Sequence, residues 1–192
     1  MPVDEPRNAP GEVTFGRRKL LLGVMGVSAG AFALSFTVTP LFVTKVLQIA
    51  VQEIAVGDQL VYSATGPNGA AAGDPVQASD LQQGDSVQAF PKGKTGNNQN
   101  LVEIVRIGAG SGGQGLVAYS AICTHLGCIV MAKLTQAGDI ACPCHKSIFA
   151  PANTTAVVSG PAPRPLPGLA IEVGTGGVVT VAGLFSAPVG VV

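Results

Sequence analysis

The chain lacks tryptophan, has only two tyrosines and two histidines, and carries few charges: Asp, Glu, Lys and Arg make up 11% of its 192 residues. Basic and acidic residues balance at 11 each, and no basic stripe stands out. That excludes a partner held through phosphate contacts, so no nucleic acid is expected. Low net charge with 47% hydrophobic residues also excludes a disordered chain. After residue 45 no long amphipathic helical pattern occurs, which excludes a helical bundle. Soft metal ligands are missing almost everywhere. All four cysteines and both histidines fall in Cys123-Thr124-His125-Leu126-Gly127-Cys128 and Cys142-Pro143-Cys144-His145.

What the chain has in plenty is glycine (26) and proline (14). With so much apolar residue, this composition reads as a turn-rich β domain joined to a very apolar segment. The length suits one domain plus appendages. Residues 1–16 are polar and proline-rich, and read as a cytoplasmic tail. Arg17, Arg18 and Lys19 then open a run with no charge until Lys45, twenty-five residues long. About 20 suffice to cross a bilayer as a helix. The basic flank lies before the run, so the N-terminus is expected in the cytoplasm and residues 45–192 on the periplasmic or outer face. Adjacent arginines before an apolar run also resemble a twin-arginine export signal. Ala31-Phe32-Ala33 has the small residues of a cleavage site, but the run continues to Val43, so residues 17–44 are expected to stay as an uncleaved single-pass anchor.

Beyond the anchor, strand signals recur between glycine-rich loops. Gly57–Ser63, Val76–Phe90 (interrupted at Gly84-Asp85), Leu101–Ile107 and Leu116–Tyr119 read as strands. Gly168–Val173 and Val178–Val181 flank a Gly174-Thr175-Gly176-Gly177 hairpin turn. Thr65–Asp74 and Lys92–Asn100 read as loops without a core pattern. The expected exterior domain is mostly antiparallel β, with both cysteine–histidine stretches on loops between strands.

Two thiolates and two imidazoles can hold zinc, or a [2Fe–2S] cluster in which histidine replaces cysteine on one iron. Cys-x-His followed by Cys-x-x-His, with 13 residues between Cys128 and Cys142, resembles the Rieske iron–sulfur family. Cys-x₄-Cys with Cys-x-Cys is poor zinc-finger spacing. The resemblance implies an all-β Rieske-type domain of antiparallel sheets, with a small cluster-binding part at about residues 120–165, behind one transmembrane helix. It also implies that Cys123 and Cys142 ligate one iron and His125 and His145 the other. Cys128 and Cys144 would form the disulfide found in quinol-oxidising branches of the family, a bond that an oxidising exterior allows to persist.

Further residues match the family's cluster environment. Gly160-Pro161-Ala162-Pro163-Arg164-Pro165 resembles its proline-rich lid, a stiff loop poor in N–H groups. Leu126 is expected to shield the cluster on the side a quinone approaches. Ser147 matches a serine that donates a hydrogen bond to cluster sulfur, whereas Phe149 stands where high-potential members have tyrosine. Losing that donor should lower the potential and favour menaquinol as the electron donor. Lys146 replaces the usual glycine after the second histidine, which puts the backbone conformation there in question.

The resemblance implies the iron–sulfur subunit of a bc-type quinol:cytochrome c oxidoreductase, an electron-transfer enzyme component of the respiratory chain. Its expected partners are a cytochrome b subunit, a c-type cytochrome, quinol and the membrane, within a dimeric complex. His125 and His145 are the expected quinol contacts, and Thr44–Ile54 the candidate hinge. Two other readings fit the residues: a Rieske small subunit of a periplasmic oxidase such as arsenite oxidase, and a zinc-stabilised tethered binding module.

Overall fold

The structure is a computed structural model, and it describes residues 53–108 and 115–191. The cytoplasmic tail, the export signal, the membrane anchor and all but the last two residues of the candidate hinge lie outside these. Among the described residues, no helix is long and apolar enough to cross a membrane.

Among the described residues, nine strands form two antiparallel sheets. The larger contains β1 (Leu60–Tyr62), β2 (Ser86–Pro91), β3 (Val102–Arg106), β4 (Leu116–Ser120), β8 (Gly168–Val173) and β9 (Val179–Phe185), in the order β1-β2-β3-β4-β8-β9. Its two edges meet. Gln59 bridges Thr180, the Gly57 N–H donates to Val181 O at 2.8 Å, and the Val181 N–H donates to Asp58 O at 2.9 Å. Closure of this kind removes exposed sheet edges. The smaller sheet, β5 (Ile140–Ala141), β6 (Ile148–Ala150) and β7 (Ala156–Ser159), lies in sequence between β4 and β8.

Strand β3 is buried on both faces and divides the interior, because successive side chains point to opposite sides. Val102 and Ile104 enter one core with Leu60, Val76, Leu116 and Val181. Val105, with Leu101 just before the strand, enters a second with Tyr119, Val130, Ile140 and Phe149. The second core carries the cluster-loop segments, including Cys123 and Cys142. A polar seam also joins β2 to the chain after the first motif: Gln88 Nε2 donates to Val130 O and Ser86 Oγ to Ala132 O, both at 2.9 Å.

Two sequence expectations change in detail. The start of the Val76–Phe90 run is not a ladder strand: a single bridge forms at Pro75, just before it, and another at Gln77, and a 3₁₀ turn, Ala78–Asp80, follows. Polar contacts hold the turn, since Tyr62 Oη donates to Asp80 Oδ2 at 3.0 Å and Arg106 donates to Ala78 O. The second hairpin strand is longer than expected, because β9 runs on to Phe185.

Candidate functional site

The first stretch forms a closed loop after β4. The Cys123 N–H donates to Cys128 O at 2.8 Å, the Gly127 N–H returns to Cys123 O at 3.0 Å, and Ile122 bridges Ile129. The second stretch does the same between β5 and β6: the Cys142 N–H donates to Ser147 O at 2.8 Å and the Lys146 N–H to Cys142 O at 3.2 Å. Each loop therefore buries its leading cysteine and presents its histidine outward.

The structure brings these residues together. Cys123 and Cys142 are buried, unbridged thiols. Burial pushes the Cys123 thiol above its ordinary value and the neighbouring Cys142 thiol adds to this, while the backbone N–H groups of His125 and Leu126 pull it down. Those two amides would stabilise a thiolate. His125 is half-buried and His145 exposed, and their Nδ1 atoms face each other at 3.3 Å with the rings nearly perpendicular. The two rings thus turn their Nδ1 atoms toward each other, which leaves Nε2 of each ring out of that contact.

Cys128 and Cys144 form a disulfide that ties the two loops. The sulfurs of Cys128, Cys142 and Cys144 lie within 4.8 Å of one another, but the disulfide leaves Cys142 as the one free thiol of the three.

The residues around this core are placed as follows. Ser147 is fully buried, and its Oγ accepts from the Ala162 N–H at 3.1 Å, which leaves the hydroxyl proton free to donate elsewhere. Phe149 is fully buried across from Ile140 and Val157, so it packs the second core. Gly160 has φ +89°, and a Cβ there would lie 2.5 Å from Ser147 Cα and 2.8 Å from Lys146 O. Only glycine lets the proline loop approach this closely. Pro161 and Pro163 are exposed on the loop's outer surface, and Leu126 is 61% exposed at the loop tip. Lys146 has φ +61°, the left-handed conformation that glycine adopts freely.

Sequence reasoning missed Thr124 and Arg164. Thr124 is buried, and its hydroxyl donates to Arg164 O at 2.7 Å, joining the first loop to the proline loop. The available signal was its position between Cys123 and His125, where a short hydroxyl side chain can only turn inward or bond a neighbouring backbone.

Residues 75–171 match the family model of the Rieske [2Fe–2S] domain. The chain belongs to this family. Its cofactor is a Rieske [2Fe–2S] cluster, and the donor chemistry fits that group: two buried thiols lie beside each other, the two histidines bring their Nδ1 atoms to 3.3 Å, and amides face the Cys123 sulfur. Zinc is no longer needed to explain the ligand types.

Several Rieske relatives are similar over part of their length. A putative respiratory nitrate reductase Rieske subunit of Haloferax mediterranei is 33% identical over 127 residues, covering 62% of this chain and 57% of the relative. A cytochrome bc1 complex Rieske iron–sulfur subunit of Streptomyces lividans is 33% identical over 134 residues, covering 61% and 79%. The corresponding Streptomyces coelicolor subunit is spanned over only 38% of its length. The crystal structure of a plasma-membrane Rieske protein from Synechocystis is 31% identical, with 56% of this chain and 95% of that one covered and a TM-score of 0.41.

Proposed function

We propose that the chain is the electron-accepting iron–sulfur subunit of a bc-type quinol:cytochrome c oxidoreductase, oxidising menaquinol and passing the electron to a c-type cytochrome. The observation that carries this reading is the Cys128–Cys144 disulfide joining the two loops, the feature that separates quinol-oxidising members from ring-hydroxylating ones. The relative named as a bc1 subunit supports it. The relative named as a nitrate reductase subunit supports a second reading, a Rieske electron carrier of a different respiratory oxidoreductase.

In this reading Cys123 and Cys142 hold one iron and His125 and His145 the other. When bound, the cluster supplies a one-electron acceptor whose charge makes the ligating imidazoles more acidic. The protein residues perform the rest. The Nε2 of His125 or His145, the ring nitrogen left out of the Nδ1–Nδ1 contact, accepts a hydrogen bond from a quinol hydroxyl and takes its proton. The exposed Leu126 excludes water on that side. The proline loop, held by Ser147 and Thr124, covers the site. Phe149 offers no hydroxyl, which supports a potential in the lower part of the roughly −150 to +300 mV range of Rieske centres.

Residues 17–44 would anchor the subunit in a bacterial cell membrane, with the Rieske domain outside, beside a cytochrome b subunit in a dimeric complex. Purification of the full chain from membranes tests the assignment. Copurification with b- and c-type cytochromes, a Rieske electron paramagnetic resonance signal and a midpoint near the lower end of the range support it. A soluble molybdenum-containing partner, or a midpoint near the upper end, overturns the partner or the quinone assignment respectively.

A further inference from the structure

The C-terminal segment 187–191 lies against the first cluster loop, and nothing in the electron-transfer reading uses it. Arg164 is where it attaches. One guanidinium nitrogen, Nη2, donates to Pro188 O at 2.8 Å and to Gly190 O at 2.6 Å. The backbone carbonyl of Arg164 accepts from the buried Thr124 hydroxyl, between Cys123 and His125. One residue therefore holds the C-terminal segment with its side chain and the first loop with its backbone. Pro163 and Pro165 flank it, and each ring fixes its own φ, which stiffens the loop on both sides of Arg164.

Gly190 makes the contact direct. It has φ +76°, and a Cβ there would lie 3.3 Å from Ile122 Cγ2, one residue before Cys123. A cleft of about 430 Å³ separates the parts, lined by Thr124 and His125 from the loop, Pro163 and Arg164 from the lid, and Pro188 and Val191 from the segment. His125, beside this cleft, is half-buried, whereas His145 is exposed.

We propose that Arg164 is a positioning residue: it clips segment 187–191 to the proline loop, and the clipped segment keeps that loop seated and limits water at the His125 side of the cluster site. This rests on the reading of the two loops as cluster ligands. Charge-assisted bonds from a guanidinium are stronger than neutral ones. Lysine offers a point charge in place of a planar fork, so it replaces arginine here only in part.

The test uses the full-length, cluster-loaded protein with Arg164→Met and Arg164→Lys. Three quantities are followed: cluster bleaching in an iron chelator, the electron paramagnetic resonance line shape of the reduced protein, and backbone hydrogen exchange. Arg164→Met is expected to bleach about tenfold faster, to broaden the resonance, and to speed exchange at 122–126 together with 187–191. Arg164→Lys recovers part of each change. Lys94→Met breaks the ion pair with Asp58 in the larger sheet's half and leaves bleaching unchanged. Gly190→Val leaves Arg164 intact but drives the segment off Ile122, and is expected to match Arg164→Met, which keeps the test valid if the arginine variant folds poorly. Bleaching within twofold of the parent in both variants, or faster exchange at 187–191 alone, overturns the proposal. A parent protein without a Rieske resonance overturns the ligand assignment instead.

Discussion

Lys146 occupies in the second cluster loop the place that Gly127 occupies in the first. Each lies four residues after its loop's leading cysteine, each donates its N–H to that cysteine's carbonyl, and each has positive φ, 61° and 74°. The loops are thus two copies of one backbone turn, and only one has the residue that the turn favours. A non-glycine residue in this conformation costs about 1–2 kcal/mol, and part of that is returned by the lower entropy of the unfolded chain. Lys146→Gly should therefore stabilise the domain by about 0.5–1 kcal/mol, seen as a raised Tm. It should also lower the cluster potential, because a nearby positive charge is removed. An unchanged or lower Tm would contradict the strain.

Gly160 gives the opposite expectation. A methyl group at this position meets the Ser147 and Lys146 backbone, which cannot swing aside, and φ is +89°. Gly160→Ala should destabilise the cluster-binding half by about 3 kcal/mol and lower the iron content of purified protein. Iron analysis beside a thermal melt separates loss of the cluster from loss of the fold.

The disulfide closes a loop between residues 16 apart. Cross-links of this length stabilise by about 3 kcal/mol. Replacing both Cys128 and Cys144 with alanine should leave the larger sheet folded, as judged by circular dichroism, while the cluster resonance fades faster on heating. Equal cluster lifetimes in variant and parent would show that the loops need no tie.

Glu103 supplies a pH dependence. It sits in the middle of β3, cross-strand from Gln88 and Tyr119. It is fully buried, and among the described residues neither carboxyl oxygen meets hydrogen-bond geometry. Burial raises its pKa from 4.5 to about 8, offset in part by the nearby Gln88 and Ser86 side chains. Between those two values the folded protein holds a proton that the unfolded chain has lost. Stability should therefore fall as pH rises from about 4.5 to about 8, by a few kcal/mol at most, and then level off. Glu103→Gln should flatten that slope and be more stable than the parent at pH 8. Parallel pH profiles for the two proteins would show that Glu103 is not the group responsible.

Phe149→Tyr should raise the midpoint potential, since a hydroxyl near the cluster can donate to its sulfur. A redox titration of the variant beside the parent checks this. No shift would mean that the buried ring at this position points its edge away from the cluster.

The candidate site was legible in the sequence because cysteine and histidine are rare in this chain and sit close together. Cys123, His125, Cys142 and His145 needed no knowledge of the fold to stand out. The larger sheet was legible too, through β-branched runs such as Val102–Arg106. The smaller sheet was not. Its strands have two to four residues and are interrupted by Pro151 and by positive φ at Thr154 and Thr155, too short for any period to show. Glu103 was illegible for another reason: it is a charged residue in a strand that proves to be buried on both faces. The roles of Thr124 and Arg164 depend on contacts between segments 40 and 26 residues apart; the position of Thr124 hints at an inward hydroxyl, but no local pattern names its partner.

Strands β4 and β8, which bound the cluster-binding insertion, pair through only two residue pairs, Ala118 with Leu169 and Tyr119 with Gly168. Strands β1 to β3 join through their own ladders, and their shared core needs no residue from 121 to 167. This arrangement permits one order of assembly. The larger sheet can form a template while the insertion hangs open from a short hinge of paired backbone, with both cysteine loops reachable by a cluster donor. Docking the insertion onto Leu101, Val105 and Tyr119 then closes the second core and seals what has been delivered.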